Sequence, residues 1–163
     1  MSSILDEHLG YVADPVRLEQ FKAAVAKVVK RGDCIADFGC GSGILGLLCL
    51  QADASRVYAI DSSAMIDIAR ETMLRAGHGD RTTFIRGKSS QIELPERVDV
   101  VICDHVGYFG FDYSVVEFLA DARRRFLKPG GTLIPSKIRL YIAAVGSQKC
   151  SELATGWLAE KIP

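Results

Sequence analysis

Asp37-Phe38-Gly39-Cys40-Gly41-Ser42-Gly43, entered from Cys34-Ile35-Ala36 and left by Ile44-Leu45-Gly46-Leu47-Leu48, decides how this chain is read. An apolar run ends in an acid, glycines alternate, and a second apolar run begins. This is the pattern of a buried strand turning into a helix through a loop short of Cβ atoms. Backbone N–H groups and the positive start of the helix can then touch a ligand directly. The loop reads as a nucleotide-cofactor site. A second apolar strand, Val57-Tyr58-Ala59-Ile60, delivers Asp61. It falls roughly twenty residues on, where a doubly wound sheet places a carboxylate to accept hydrogen bonds from a ribose diol.

Gly41, Gly43 and Gly46 also fit the dinucleotide fingerprint, so the glycines alone leave two cofactors open. Asp37 separates them. A carboxylate repels the phosphates of a dinucleotide, whereas a cofactor carrying a sulfonium and an ammonium group is drawn to it.

Outward from this motif, strands and helix-length segments alternate. Asp14-Pro15 supplies an N-cap and a first-turn proline, and Val16, Phe21, Ala24, Val25, Val28 and Val29 form an apolar face on a helix that Gly32 ends. Strands are predicted at 34–38, 56–60, 82–86, 98–103 and 131–135, and helices at 43–52, 63–76 and 114–127. Such alternation builds parallel βαβ units with right-handed crossovers. The expected architecture is α/β, a Rossmann-like, doubly wound, mostly parallel sheet with helices on both faces. Beyond it, Ile138 to Val145 reads as a further apolar strand, and Ser151 to Lys161 as a short amphipathic helix or frayed tail.

The ligand crevice of such a sheet lies beyond the carboxyl ends of the strands where chain order reverses, here the first and fourth. The fourth strand runs into Asp104-His105-Val106-Gly107-Tyr108-Phe109-Gly110-Phe111-Asp112-Tyr113-Ser114, an aromatic and acidic segment at that crevice. Asp104 is the candidate for taking or steering a proton. The aromatic residues are candidates for lining an acceptor pocket, although the same spacing also packs cores.

A chain of 163 residues with 48% hydrophobic content fits one ordinary soluble domain. Lys plus Arg and Asp plus Glu both number 20, so no global field recruits nucleic acid or an acidic membrane. The first residues lack the basic segment and apolar core of a signal peptide, and no apolar run reaches membrane-spanning length. A cytoplasmic protein is expected. The five cysteines read as buried free thiols, and none is paired with a histidine at metal spacing, so no metal is expected.

Asp37 to Gly43 resembles the first motif of class I S-adenosylmethionine-dependent methyltransferases, and Phe126-Leu127-Lys128-Pro129-Gly130-Gly131-Thr132-Leu133 resembles the turn before their fifth strand. Gly87-Lys88-Ser89-Ser90-Gln91-Ile92-Glu93-Leu94-Pro95, Gly107-Tyr108 and Gly130-Gly131-Thr132-Leu133-Ile134-Pro135 narrow the resemblance to the catalytic domain of protein arginine methyltransferases, from about His8 to Val145. The resemblance implies S-adenosylmethionine as cofactor, S-adenosylhomocysteine as product, and an amine or guanidine nitrogen of a protein or small molecule as acceptor. It places His8 and Arg17 at the methionine part of the cofactor, with Arg17 on its carboxylate. Asp37, Gly39, Cys40, Gly41 and Gly43 would line the loop, Asp61 and Ser62 would lie at the ribose, and Ser89 and Ser90 would flank the adenine.

The sequence also departs from the family. Where the family carries two glutamates that grip a guanidinium, Asp104 takes the first position and Tyr113 the second, with Asp112 one residue earlier; these three form the catalytic set. The family continues into a β-barrel, so residues 138–163 are expected to begin a further C-terminal region, and that region or a second copy of the chain is expected to cover the 138–145 strand. A nicotinamide-dependent oxidoreductase and a non-catalytic cofactor-binding domain are the rival expectations.

Overall fold

The computed structural model describes residues 4–106, 114–144 and 146–159. Five parallel strands form the sheet: β1 Cys34–Phe38, β2 Arg56–Asp61, β3 Thr82–Arg86, β4 Val98–Ile102 and β5 Leu127–Ile134, in the order β3-β2-β1-β4-β5. Chain order reverses between β1 and β4, as expected for a doubly wound sheet. Among the described residues, six α-helices accompany it: α1 Ile4–Ala13, α2 Pro15–Val28, α3 Ile44–Gln51, α4 Met65–Arg75, α5 Val115–Arg125 and α6 Gln148–Ala159.

The pleat sorts side chains onto two cores. Ile35, Val57, Ala59, Val100 and Ile102 face α2, α3 and α4 through Val25, Leu45, Cys49, Ala69 and Met73. Cys34, Ala36, Phe38, Tyr58, Ile60 and Val101 face α5 through Ala122 and Phe126. Strands buried on both faces read as near-continuous apolar runs, which is why β1, β2 and β4 were legible. Val98 belongs to the α5 face although Val100 lies on the other, because the register slips there: Val98 opposes Leu127 but Val100 opposes Thr132. The extra residues on β5 form a bulge at Lys128-Pro129-Gly130-Gly131, where the sequence suggested a turn before a shorter strand. Gly131 is needed at that bulge, since a Cβ would come within 2.9 Å of the Asp99 carbonyl oxygen.

Asp14 caps α2 as expected, its Oδ1 accepting the Arg17 N–H at 3.0 Å. The helix stops at Val28 rather than at Gly32, which sits in the following turn at φ 89°. Helix α1 was not anticipated. The strand expected over 138–145 is absent from residues 138–144, while Val145 lies outside the described residues. High apolar content suggested a strand, but no described segment pairs with this stretch, and Tyr141 and Ile142 stand fully or almost fully exposed. Four cysteines are buried and free as expected, whereas Cys150 is exposed. Among the described residues, no helix is long and apolar enough to cross a membrane.

Candidate functional site

Three acids lie at the carboxyl ends of the three central strands, Asp37 one residue before the end of β1, Asp61 closing β2 and Asp104 two residues beyond β4, and the alternation of the strands puts them on one side. Ile35 faces α3, so Asp37 does too; Val57 and Ala59 lead to Asp61 by the same alternation, and Val100 and Ile102 lead to Asp104. The carboxyl ends of β1, β2 and β4 thus converge on an acidic crevice at the topological switch.

Asp37 is 1% exposed and its Oδ2 accepts the N–H of Gly46 at 2.9 Å. Helix α3 needs this acceptor, because its N-cap residue is Gly43, in the left-handed region at φ 80° with no side chain to bond the first turn. The strand therefore caps the helix across the loop. Position 46 is closely packed, since a Cβ would lie 2.9 Å from Val57 Cγ1 and 3.1 Å from Asp37 Oδ2. Burial pushes the Asp37 carboxyl up to about 8; the Gly46 N–H opposes this, and the charges of Asp104 and Asp61 add to it.

Asp61 organises the glycine loop. Its Oδ2 accepts the Gly41 N–H at 2.9 Å, and its Oδ1 accepts the backbone N–H and hydroxyl of Ser63 at 2.8 and 2.7 Å. From the loop's other side the His8 ring, carried on α1, packs so closely on Gly41 that a Cβ there would fall 2.5 Å from Cε1. The backbone N–H groups of Gly39 and Cys40 both reach the Ile60 carbonyl, at 2.9 and 3.0 Å, pinning the loop to the end of β2.

Arg17 forms an ion pair with Asp104, and both side chains are about a quarter exposed, at 24% and 27%. The Arg17 guanidinium also lies 4.4 Å above the Tyr11 ring, whose hydroxyl donates to Glu7 at 2.5 Å. Helices α1 and α2 are tied in this way to the end of β4.

The remaining expected residues are distributed around this centre. Nothing lies within 4 Å of the place a Cβ would take on Gly39, so that stretch of backbone is open to a ligand. Cys40 is buried in the core; burial raises its thiol pKa, and only its backbone faces the loop. Ser62 is exposed, and it is the neighbouring Ser63 that bonds Asp61. Ser89 and Ser90 open a 3-10 turn, Ser89–Gln91, beyond β3. Asp112 and Tyr113 lie outside the described residues. Sequence reasoning passed over Ser63 and Tyr11, and it read Gly46 only as part of a glycine fingerprint, not as the donor to Asp37; the one available signal was Gly43, a glycine N-cap that requires an acceptor from elsewhere. An open cavity of about 580 Å³ lies away from the crevice, against Leu94, Arg97, Arg124 and Phe126.

The donor set fits a cationic, ribose-bearing cofactor. A carboxylate has about four lone-pair sites, and Asp61 uses three, while the Arg17 guanidinium keeps donors beyond the Asp104 pair. The fit to a pyrophosphate is poor, because the Gly41 amide, on the loop that would have to approach it, already serves the Asp61 carboxylate.

Comparison with known proteins agrees with this geometry. The sequence is 36% identical over 140 residues to probable protein arginine N-methyltransferase 6 of Arabidopsis thaliana, covering 85% of this chain and 32% of that protein. It is 37% identical over 150 residues to the ribosomal protein arginine N-methyltransferase rmt3 of Schizosaccharomyces pombe, covering 90% and 28%. The chain therefore spans about a third of the length of these curated relatives. Among solved structures, protein arginine methyltransferase 10 of Arabidopsis thaliana superposes with a TM-score of 0.76 at 34% identity, covering 80% of this chain and 38% of that one. The Trypanosoma brucei PRMT1 enzyme–prozyme heterotetramer with AdoHcy gives 0.72 at 30%, covering 77% and 40%. A family model described as a methyltransferase domain matches residues 35–131, more than half of the sequence. This chain belongs to that methyltransferase domain family, as a class I S-adenosylmethionine-dependent type close to the catalytic domain of the protein arginine N-methyltransferases.

Proposed function

We propose that the chain binds S-adenosylmethionine in the crevice over β1, β2 and β4 and transfers its methyl group to a guanidine or amine nitrogen of a protein or small molecule. One observation carries this reading. The Gly41 amide on the glycine loop is engaged by the Asp61 carboxylate, which puts negative charge where a dinucleotide would have to bring its phosphates. The same observation counts against the nicotinamide alternative.

When bound, the cofactor supplies a methyl group activated by a sulfonium centre, and its transfer needs an aligned acceptor lone pair and a group to steer the acceptor's proton. Asp61 would take a ribose hydroxyl on its one unused lone-pair site. Arg17 would take the cofactor's carboxylate while keeping Asp104 oriented. Asp104 would accept an N–H of the acceptor, fixing where its lone pair points. An acidic crevice also draws a cationic acceptor such as arginine, which the names of the related arginine N-methyltransferases favour. Asp112 and Tyr113 complete the proposed catalytic set.

A cytoplasmic location is part of the same reading. So is a second copy of the chain, or further polypeptide, over the exposed Ile138, Leu140, Tyr141 and Ile142. The test is transfer of radiolabelled methyl from S-adenosylmethionine to an arginine-rich protein, by wild type and by Asp104→Asn. Label on arginine that depends on Asp104 supports the assignment. Tight cofactor binding with no label on any acceptor favours the non-catalytic reading.

A further inference from the structure

Helix α5 ends in Arg123-Arg124-Arg125, and the simplest account of such a run is a solvated end favoured by the helix dipole. Arg123 and Arg124 fit that account, both exposed, with Arg124 paired to Asp121 at 2.8 Å. Arg125 does not. Its Nε and Nη2 both bond Asp121 Oδ2, at 2.9 and 2.7 Å, fixing the guanidinium plane. From there Nη2 donates to the Ser89 carbonyl at 2.5 Å and Nη1 to the Ile92 carbonyl at 2.9 Å. The guanidinium carbon lies 4.3 Å above the Phe126 ring. The two carbonyls bracket the 3-10 turn Ser89–Gln91. One side chain therefore clamps both ends of that turn.

The position of the turn gives the clamp its meaning. Asp61 opposes Arg86 in register, and the Gly87 N–H donates to the Asp61 carbonyl at 2.9 Å, so the turn starts just beyond the acid, at the carboxyl end of the sheet. Strand β3 is the sheet edge, which leaves this connection with a strand neighbour on one side only. An elongated ligand held by Arg17 over β4 and by Asp61 over β2 has its far end over β3, against the turn.

We propose that Arg125 is a positioning residue for base recognition: by holding the Ser89 and Ile92 carbonyls it fixes the wall against which the cofactor's base rests. This rests on the cofactor reading above. Arg125 touches no part of the ligand itself and acts through the turn.

The experiment compares binding of S-adenosyl-L-homocysteine with that of S-inosyl-L-homocysteine, which differs only in the base, by calorimetry on wild type, Arg125→Gln and Arg125→Lys. Arg125→Lys keeps the charge beside Asp121 and guards against loss of the fold, but an ammonium cannot reproduce the planar fork. Wild type should prefer the adenine ligand by at least about tenfold, as expected of a site built to hydrogen-bond a polar group. Both variants should reduce that ratio at least about threefold, while Arg17→Ala weakens both ligands and leaves the ratio intact. General loosening of the domain would weaken both ligands alike. Wild-type binding with an unchanged ratio in both variants overturns the role of Arg125 alone. No binding of S-adenosyl-L-homocysteine to wild type overturns the cofactor reading, and this role with it.

Discussion

Asp61 and Gly41 stand twenty positions apart and are joined by a 2.9 Å hydrogen bond from the glycine amide to the carboxylate. The bond couples the two features by which the chain was first read, the glycine loop and the acid ending β2. It makes Asp61 both a wall of the ligand crevice and a brace of the loop.

The first expected outcome follows from that dual role. Asp61→Ala removes the acceptor for Gly41 and Ser63 and, on the proposed assignment, for the ribose, and charge-assisted hydrogen bonds contribute about 1.5 to 3 kcal/mol each. S-adenosylhomocysteine affinity should fall at least about tenfold. Asp61→Asn, which keeps one acceptor oxygen, should fall between. An unchanged dissociation constant in a folded Asp61→Ala protein removes the ribose assignment.

At position 46 the constraint is steric. An added Cβ meets Val57 Cγ1 at 2.9 Å and both Asp37 Oδ2 and Met73 Cε at 3.1 Å. Gly46→Ala should destabilise the domain by about 1 to 3 kcal/mol, the usual range for overpacking. Urea unfolding measures it, and a more stable variant contradicts the packing described.

Asp37 gives a pH dependence with a defined sign. Burial raises its carboxyl from the ordinary value of 3.8 to about 8, so between those values the folded chain holds a proton that the unfolded chain has released. The unfolded state then binds fewer protons, and stability falls as pH rises through this window. Asp37→Asn keeps an acceptor for Gly46 and abolishes the titration. Wild type should lose stability relative to the variant from about pH 4 to pH 8, with the difference level above that; parallel curves across the window contradict it.

Asp104 should matter to turnover more than to binding. Asp104→Asn keeps the shape and removes the charge that pairs Arg17 and steers the acceptor. Methyl transfer should drop at least about tenfold, a modest share of what positioned acid–base groups contribute. Equal losses in rate and in cofactor affinity would mark it as a structural residue.

The central strands were legible because they are buried on both faces and bounded by glycine, aspartate and proline. Cys34–Phe38 matches the expected span residue for residue, and so does the edge strand Thr82–Arg86, although it is only partly buried. Ile138 to Ile142 carries the same apolar composition, but a strand also needs a partner, and pairing is not written in the local pattern. At the site, residue types announced Asp37, Asp61 and Asp104 as acids in a crevice. Their bonding was hidden, because it depends on side-chain direction across the sheet: Asp37 turns inward to cap α3, and Arg17 meets Asp104 over 87 positions of sequence. Arg125 is the last of three consecutive arginines, which local pattern does not distinguish, and only the packing of α5 against the 89–92 segment sets it apart.

The crevice is proposed to take a sulfur-bearing nucleoside with an amino-acid tail and to reject a pyrophosphate. Calorimetry of the wild-type chain with S-adenosylhomocysteine and NAD under identical conditions tests it most directly. Saturable one-to-one binding of S-adenosylhomocysteine is expected, with a dissociation constant on the order of micromolar or tighter, near −8 kcal/mol, and no saturation by NAD at millimolar concentration. Tight binding of NAD with no heat from S-adenosylhomocysteine would contradict it.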